Sequence, residues 1–94
     1  MEWEVNVVRG YVQYVGKAEI SSEEGYRIAN KLGLIKMQTP RAEILTGRYH
    51  HSLMTMENDG GGWIIFMDKG TPEQDLDALT YWIENKGHGD PCSI

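Results

Sequence analysis

Hydrophobic and polar residues alternate from Glu2 to Val8, with Trp3, Val5 and Val7 on one face and Glu2, Glu4 and Asn6 on the other. A period of two is the mark of a half-buried strand. Tyr11 to Val15, rich in aromatic and β-branched residues, reads as more strand. Arg9-Gly10 between them is a turn or a bulge, so 2–15 fits either a hairpin or one long bulged strand. Gly16-Lys17 is the next turn signal.

The period then changes. Ser21 and Ser22 are helix caps, and Ser21 with Glu24 three residues on fits a capping box. At 100° per residue Gly25, Ile28, Ala29 and Leu32 share a face, while Glu23, Arg27 and Asn30 point away. Glycine inside a helix otherwise only destabilises it, so Gly25 on the apolar face predicts a close approach of helix and sheet. Gly33 is the expected left-handed residue that ends the helix.

Strand patterns return after it. Leu34 to Thr39 reads as a strand stopped by Pro40, and 41–46 and 48–56 read as strand material broken at Gly47. In the second piece Tyr49, His51, Leu53 and Thr55 fall on one face, and His50, Ser52, Met54 and Met56 on the other. Asn58-Asp59-Gly60-Gly61-Gly62 reverses the chain into a return strand, Trp63 to Asp68. Its unbroken apolar run predicts a central strand covered on both faces. Thr71-Pro72-Glu73-Gln74 then opens a second helix, with Thr71 as cap, Pro72 at the first helical position and Gln74 closing the box. Asn85-Lys86-Gly87 ends it. On this helix Pro72, Leu76, Leu79 and Ile83 form the apolar stripe, Trp82 flanks it, and Tyr81 points away.

These patterns predict an α+β domain over 1–87, an antiparallel sheet of four to five strands with two helices in ββαβββα-like order. Residues 88–94 read as a flexible tail. At 94 residues, with 40% hydrophobic and 24% charged side chains, the chain has room for one modest core. The acidic Met-Glu-Trp-Glu start is unlike a signal peptide, and the longest apolar run is too short for a membrane span. The lone Cys92 forms no internal disulfide, and a cytoplasmic, reducing location is expected.

Charge alters the picture more than composition does. The net charge is −5. Acids and bases balance over 1–47, whereas 48–94 carry Glu57, Asp59, Asp68, Glu73, Asp75, Asp77, Glu84 and Asp90 against Arg48, Lys69 and Lys86. Direct nucleic-acid binding is disfavoured, because it requires a clustered positive patch.

Candidate chemistry is sparse. The triple glycine lacks the Gly-Lys-Ser/Thr and following helix of a phosphate loop, and Glu57 and Asp59 would repel an anion. His50 and His51, read as neighbours on a strand, point to opposite faces and cannot share a metal ion. His88, Asp90 and Cys92 alternate in the tail without a rigid frame. No catalytic residue, metal site or cofactor is expected.

Glu73, Asp77, Thr80 and Glu84 line the second helix beside the outward Tyr81. The helix dipole accounts for Glu73 and Asp75 but not for Asp77, nor for Glu84 at the C-terminal end. Asp75-Leu76-Asp77-Ala78-Leu79 resembles part of the acidic helix of the barstar family of ribonuclease inhibitors, which block their enzyme with carboxylates. The match spans five residues, and the order of elements differs, so it supplies a mechanism and no ancestry.

The expected function is a small non-enzymatic inhibitor or adaptor. It presents Glu57, Asp59, Glu73, Asp77, Tyr81 and Glu84, with Trp82 as an added contact, to a protein partner with a basic surface, such as the nucleic-acid groove of a nuclease. Acidic immunity proteins and phage anti-defence inhibitors, anti-CRISPR proteins among them, share this size and charge. The alternative is a small-molecule or nucleotide-binding domain with a pocket built from Tyr11, Tyr14, Tyr49, His50 or His51, and a histidine–carboxylate enzyme ranks below both. Five methionines and three tryptophans fit a homodimer interface as readily as a monomer core.

Overall fold

The computed structural model describes residues 1–40 and 42–89. Strands β1 (Trp3–Val8) and β2 (Tyr11–Ala18) come first, followed by helix α1 (Ser22–Leu32). Strands β3 (Ile35–Gln38), β4 (Glu43–Tyr49), β5 (Ser52–Asn58) and β6 (Trp63–Asp68) follow, and helix α2 (Glu73–Glu84) comes last. All six strands form one antiparallel sheet in the order β1-β2-β6-β5-β4-β3. The α+β class is as expected, with six strands in place of four or five.

Two turns make the difference. Arg9 and Gly10 both take positive φ, 52° and 79°, so β1 and β2 are a tight hairpin and not one bulged strand. The chain also turns at His50-His51, not at Gly47. β4 runs straight through Gly47, and Tyr49 pairs with Ser52. That register puts Tyr49 on the face of Ser52, Met54 and Met56, opposite to the expected pairing of Tyr49 with Leu53 and Thr55. Gly47 lies close under Leu34: a Cβ there would stand 2.8 Å from a methyl of that side chain, which would have to shift.

Both helices cover the same sheet face. Trp63, Ile65 and Met67 of β6, Met54 and Met56 of β5, and Leu45 and Tyr49 of β4 point toward them and are buried. Ile28 and Ala29 of α1, with Leu76, Leu79, Trp82 and Ile83 of α2, close this core from above. α1 carries the expected capping box, Ser21 accepting from the Glu24 amide while the Glu24 carboxylate accepts from the Ser21 amide. Gly33, at φ 74°, ends it. Gly25 faces Trp63, whose indole Nε1 donates to the Ser21 carbonyl at 3.0 Å.

α2 begins differently from its sequence signature. Thr71 is buried, and its hydroxyl donates to the Asp68 carbonyl at 2.8 Å, closing the β6–α2 turn. Pro72 therefore holds the N-cap position with no side-chain cap bond, and the helix starts at Glu73. Pro72 is exposed and leaves the apolar stripe, while Trp82, with 0% exposure, joins the core. At the far end Arg27 donates to the Lys86 carbonyl and Lys31 to the Gly87 carbonyl, which ties 86–87 to α1. Of the expected flexible tail, 90–94 lie outside the described residues. His88 and Gly89 are described, and the Trp82 indole donates to the Gly89 carbonyl at 3.4 Å.

Candidate protein-binding surface

Buried Leu76, Leu79, Trp82 and Ile83 set the rotation of α2, and the opposite side of the helix is thereby fixed. Glu73, Asp77 and Tyr81 follow at intervals of four, with Glu84 three residues further, so they run as a column along the exposed side. Tyr81 is 61% exposed. The last turn of α2 carries no base. Lys86, two residues past the helix end, has its ammonium 3.9 Å from the Glu24 carboxylate on α1.

Glu84 has a local partner that the sequence does not reveal. The Met1 ammonium donates to its carboxylate at 3.0 Å. This contact offsets the unfavourable position of an acid at a helix C-terminus. It joins the start of β1 to α2, as does the bond from the Trp3 indole to the Thr80 hydroxyl at 2.7 Å.

The other expected contact residues separate. Asp59 is exposed in the β5–β6 loop, where its carboxylate accepts from the Gly61 amide at 3.2 Å. Residues 17–19 line both the recess beside Asp59 and a groove of about 440 Å³ beside Glu84, so Asp59 stands at the Glu84 end of the molecule. Glu57 does not belong to this surface: it pairs with Ile44 and Ile64 and projects from the sheet face that the helices leave uncovered. Trp82 is enclosed in the core and offers no contact area.

The aromatic and histidine set of the alternative reading does not converge. Tyr49 is buried under the helices, Tyr14 is half-buried on the same face, and Tyr11 alternates to the other face. His50 and His51 are exposed turn residues and not strand neighbours. The His50 ring lies edge-on to Tyr49, with centroids 4.4 Å apart. Among the described residues no group of three or more His, Cys, Asp or Glu could hold a metal ion, and no helix is long and apolar enough to cross a membrane. Of His88, Asp90 and Cys92, the last two lie outside the described residues.

Two hydrogen-bonded carboxylates fasten α1. The Tyr26 hydroxyl donates to Glu43, which lowers the Glu43 carboxyl below its ordinary value and raises the Tyr26 phenol. The Ser21 amide holds the Glu24 carboxyl low in the same way. Both are structural contacts that fasten α1 or its cap.

A second surface went unnoticed in the sequence. The uncovered sheet face carries Val15, Ile64, Phe66, Leu53, Ile44, Ile35 and Met37. The signal that could have revealed it is the alternation of Ile35 and Met37 with Lys36 and Gln38 in β3.

No family model, curated protein or solved structure matches the chain.

Proposed function

We propose that this protein is a non-enzymatic inhibitor or adaptor that binds a basic protein surface through the outward side of α2. The observation that carries the reading is the exposed column Glu73–Asp77–Tyr81–Glu84, unbroken by any base on the helix. Carboxylates so placed draw in a cationic surface during diffusional encounter, and an exposed tyrosine among them adds area that is desolvated on contact. Asp59 lies toward the Glu84 end, beyond a groove that Lys17 and Lys86 also line. Glu57 takes no part, because it faces the other way.

A partner whose own ligand is nucleic acid suits this surface best, since a phosphate-binding groove offers clustered Lys and Arg. Occupying such a groove would block the nuclease or processing enzyme that owns it, in the manner of phage anti-defence or immunity-type proteins. Asp77→Lys with Glu84→Lys tests the proposal. The double variant should keep its fold by circular dichroism while losing partner binding and the salt dependence of that binding. Tyr81→Ala should weaken binding with less effect on salt dependence. Unchanged affinity in the folded double variant would remove α2 from the interface.

A further inference from the structure

The helices cover one face of a six-stranded sheet and leave the other bare. An antiparallel sheet that faces water normally shows polar residues on that side. This one does not. In β6, Ile64 and Phe66 project from this face, and across the register β2 adds Val15, β5 adds Leu53, and β4 adds Ile44; Leu53 is exposed and the other four are half-buried.

The edge strand β3 is the clearest sign. Its register places Lys36 and Gln38 on the helix side and turns Ile35 and Met37, 69% and 50% exposed, to the bare face. The helix-side placement is confirmed by Glu43, the partner of Gln38, which bonds Tyr26 of α1. A strand that sends its polar residues toward the covered side and its apolar ones toward the open side is patterned for a cover on the open side.

We propose that a second copy of this chain supplies that cover, the two sheets packing face to face about a twofold axis. Three observations select a second copy. The first is area. Six strands at a spacing of about 4.8 Å and a length of about 20 Å give a footprint of about 580 Å² before side-chain relief. That is the order of the roughly 800 Å² per partner used by stable interfaces.

The second is charge. The bare face carries Glu4, Glu57 and Asp68 with Lys17 and Arg48, close to balance in a chain whose net charge is −5. Two copies can therefore meet here without the repulsion that two α2 columns would generate.

The third is register. Gln13, Asp68, Leu53 and Arg48 form one row across the sheet, and Lys17, Ile64, Glu57 and Ile44 form another. Turn a copy about an axis parallel to the strands and midway between β6 and β5. β2 then lies over β4, Phe66 over Thr55, and the rows stay level. Lys17 comes beside the second copy's Glu57, and Arg48 beside the second copy's Asp68. Symmetry makes each pair twice, as an isologous interface requires. Both α2 columns remain outward, so the inference does not rest on the proposed function.

Sedimentation equilibrium of the whole chain tests the interface. The expected mass is twice 10.7 kDa at micromolar concentration. Phe66→Asp should raise the dissociation constant by at least about 30-fold, the loss typical of a central interface anchor. Lys17→Glu and Glu57→Lys should each weaken the dimer about three- to tenfold, and the two together should restore it. The restoration is the decisive readout, because lost folding cannot produce it. A protein that stays monomeric at 100 times that concentration overturns the proposal. So does a dimer indifferent to all these substitutions, or a monomer that binds a different protein through Phe66.

Discussion

Gly25 and Trp63 touch so closely that no side chain fits between them: a Cβ at Gly25 would stand 2.0 Å from the indole. Trp63 is buried, lies edge-on to Tyr26 at 5.1 Å, and bonds the Ser21 carbonyl, so its ring cannot swing aside. Gly25→Ala should therefore destabilise the protein by about 3 kcal/mol, the upper end for overpacking, despite alanine's better helix propensity. Urea unfolding followed by tryptophan fluorescence measures it; a neutral or stabilising result would mean that α1 can lift off the sheet at little cost.

The three loop glycines should differ sharply. Gly60 has φ 88°, and a Cβ on Gly62 would meet the Ala18 carbonyl oxygen at 2.7 Å, whereas one on Gly61 meets nothing within 4 Å. Gly61→Ala should stay within about 0.5 kcal/mol of the parent. Gly60→Ala should cost about 1 kcal/mol, and Gly62→Ala more, since backbone must move. Equal effects at all three positions in thermal unfolding would contradict this loop geometry.

The Tyr26–Glu43 contact predicts a pH window. The Tyr26 hydrogen bond, with help from Lys36, lowers Glu43 from its ordinary 4.5, so its stabilisation is complete above that value and disappears as pH falls through the folded value. The Glu43 bond raises Tyr26 from 10.0, so its stabilisation is complete below that value and disappears as pH rises through the folded value. Tyr26→Phe should lower stability most at neutral pH, and the gap from the parent should narrow at both extremes. Denaturant titrations across pH decide it, a pH-independent gap being the contrary result.

His50 holds φ 56°, a conformation that β-branched residues resist. His50→Val should cost about 1–2 kcal/mol. His50→Gly should be neutral or stabilising, because glycine adopts this φ freely. If both substitutions instead abolished partner binding while stability stayed unchanged, the turn would hold a functional histidine and not a structural one.

Signals confined to one turn of chain were legible in advance. Ser21 and Glu24, Gly33, and Gly25 on the helix's inner face all describe groups within a few residues or one obligatory contact. Gly47 was misread as a breaker because a glycine lying close under Leu34 looks the same as one kept for turning. The true turn, His50-His51, carries no turn-forming residue at all. Thr71-Pro72 was misread because the threonine hydroxyl has two acceptable partners, an N-terminal helix amide or the Asp68 carbonyl, and only the path of β6 into α2 selects the second. The α2 column was legible through its 3.6-residue period, apart from Trp82, which the core claimed.

The sequence by itself determined the α+β class, both helices, the capping of α1 and the outward column of acids around Tyr81. Each follows from periodicity or from bonds between near neighbours in the chain. Only the tertiary structure decided the strand order, the separation of Glu57 from the other acids and the bare sheet face. β6 shows why. Its run Trp63-Ile-Ile-Phe-Met is apolar on both faces, which told of burial twice over but not of what buries it. Both helices pack on the Trp63–Ile65–Met67 side, leaving Ile64 and Phe66 half-buried on the side away from them. A strand's alternation records how many faces avoid water; which element covers each depends on contacts between residues far apart in the chain, or in another chain.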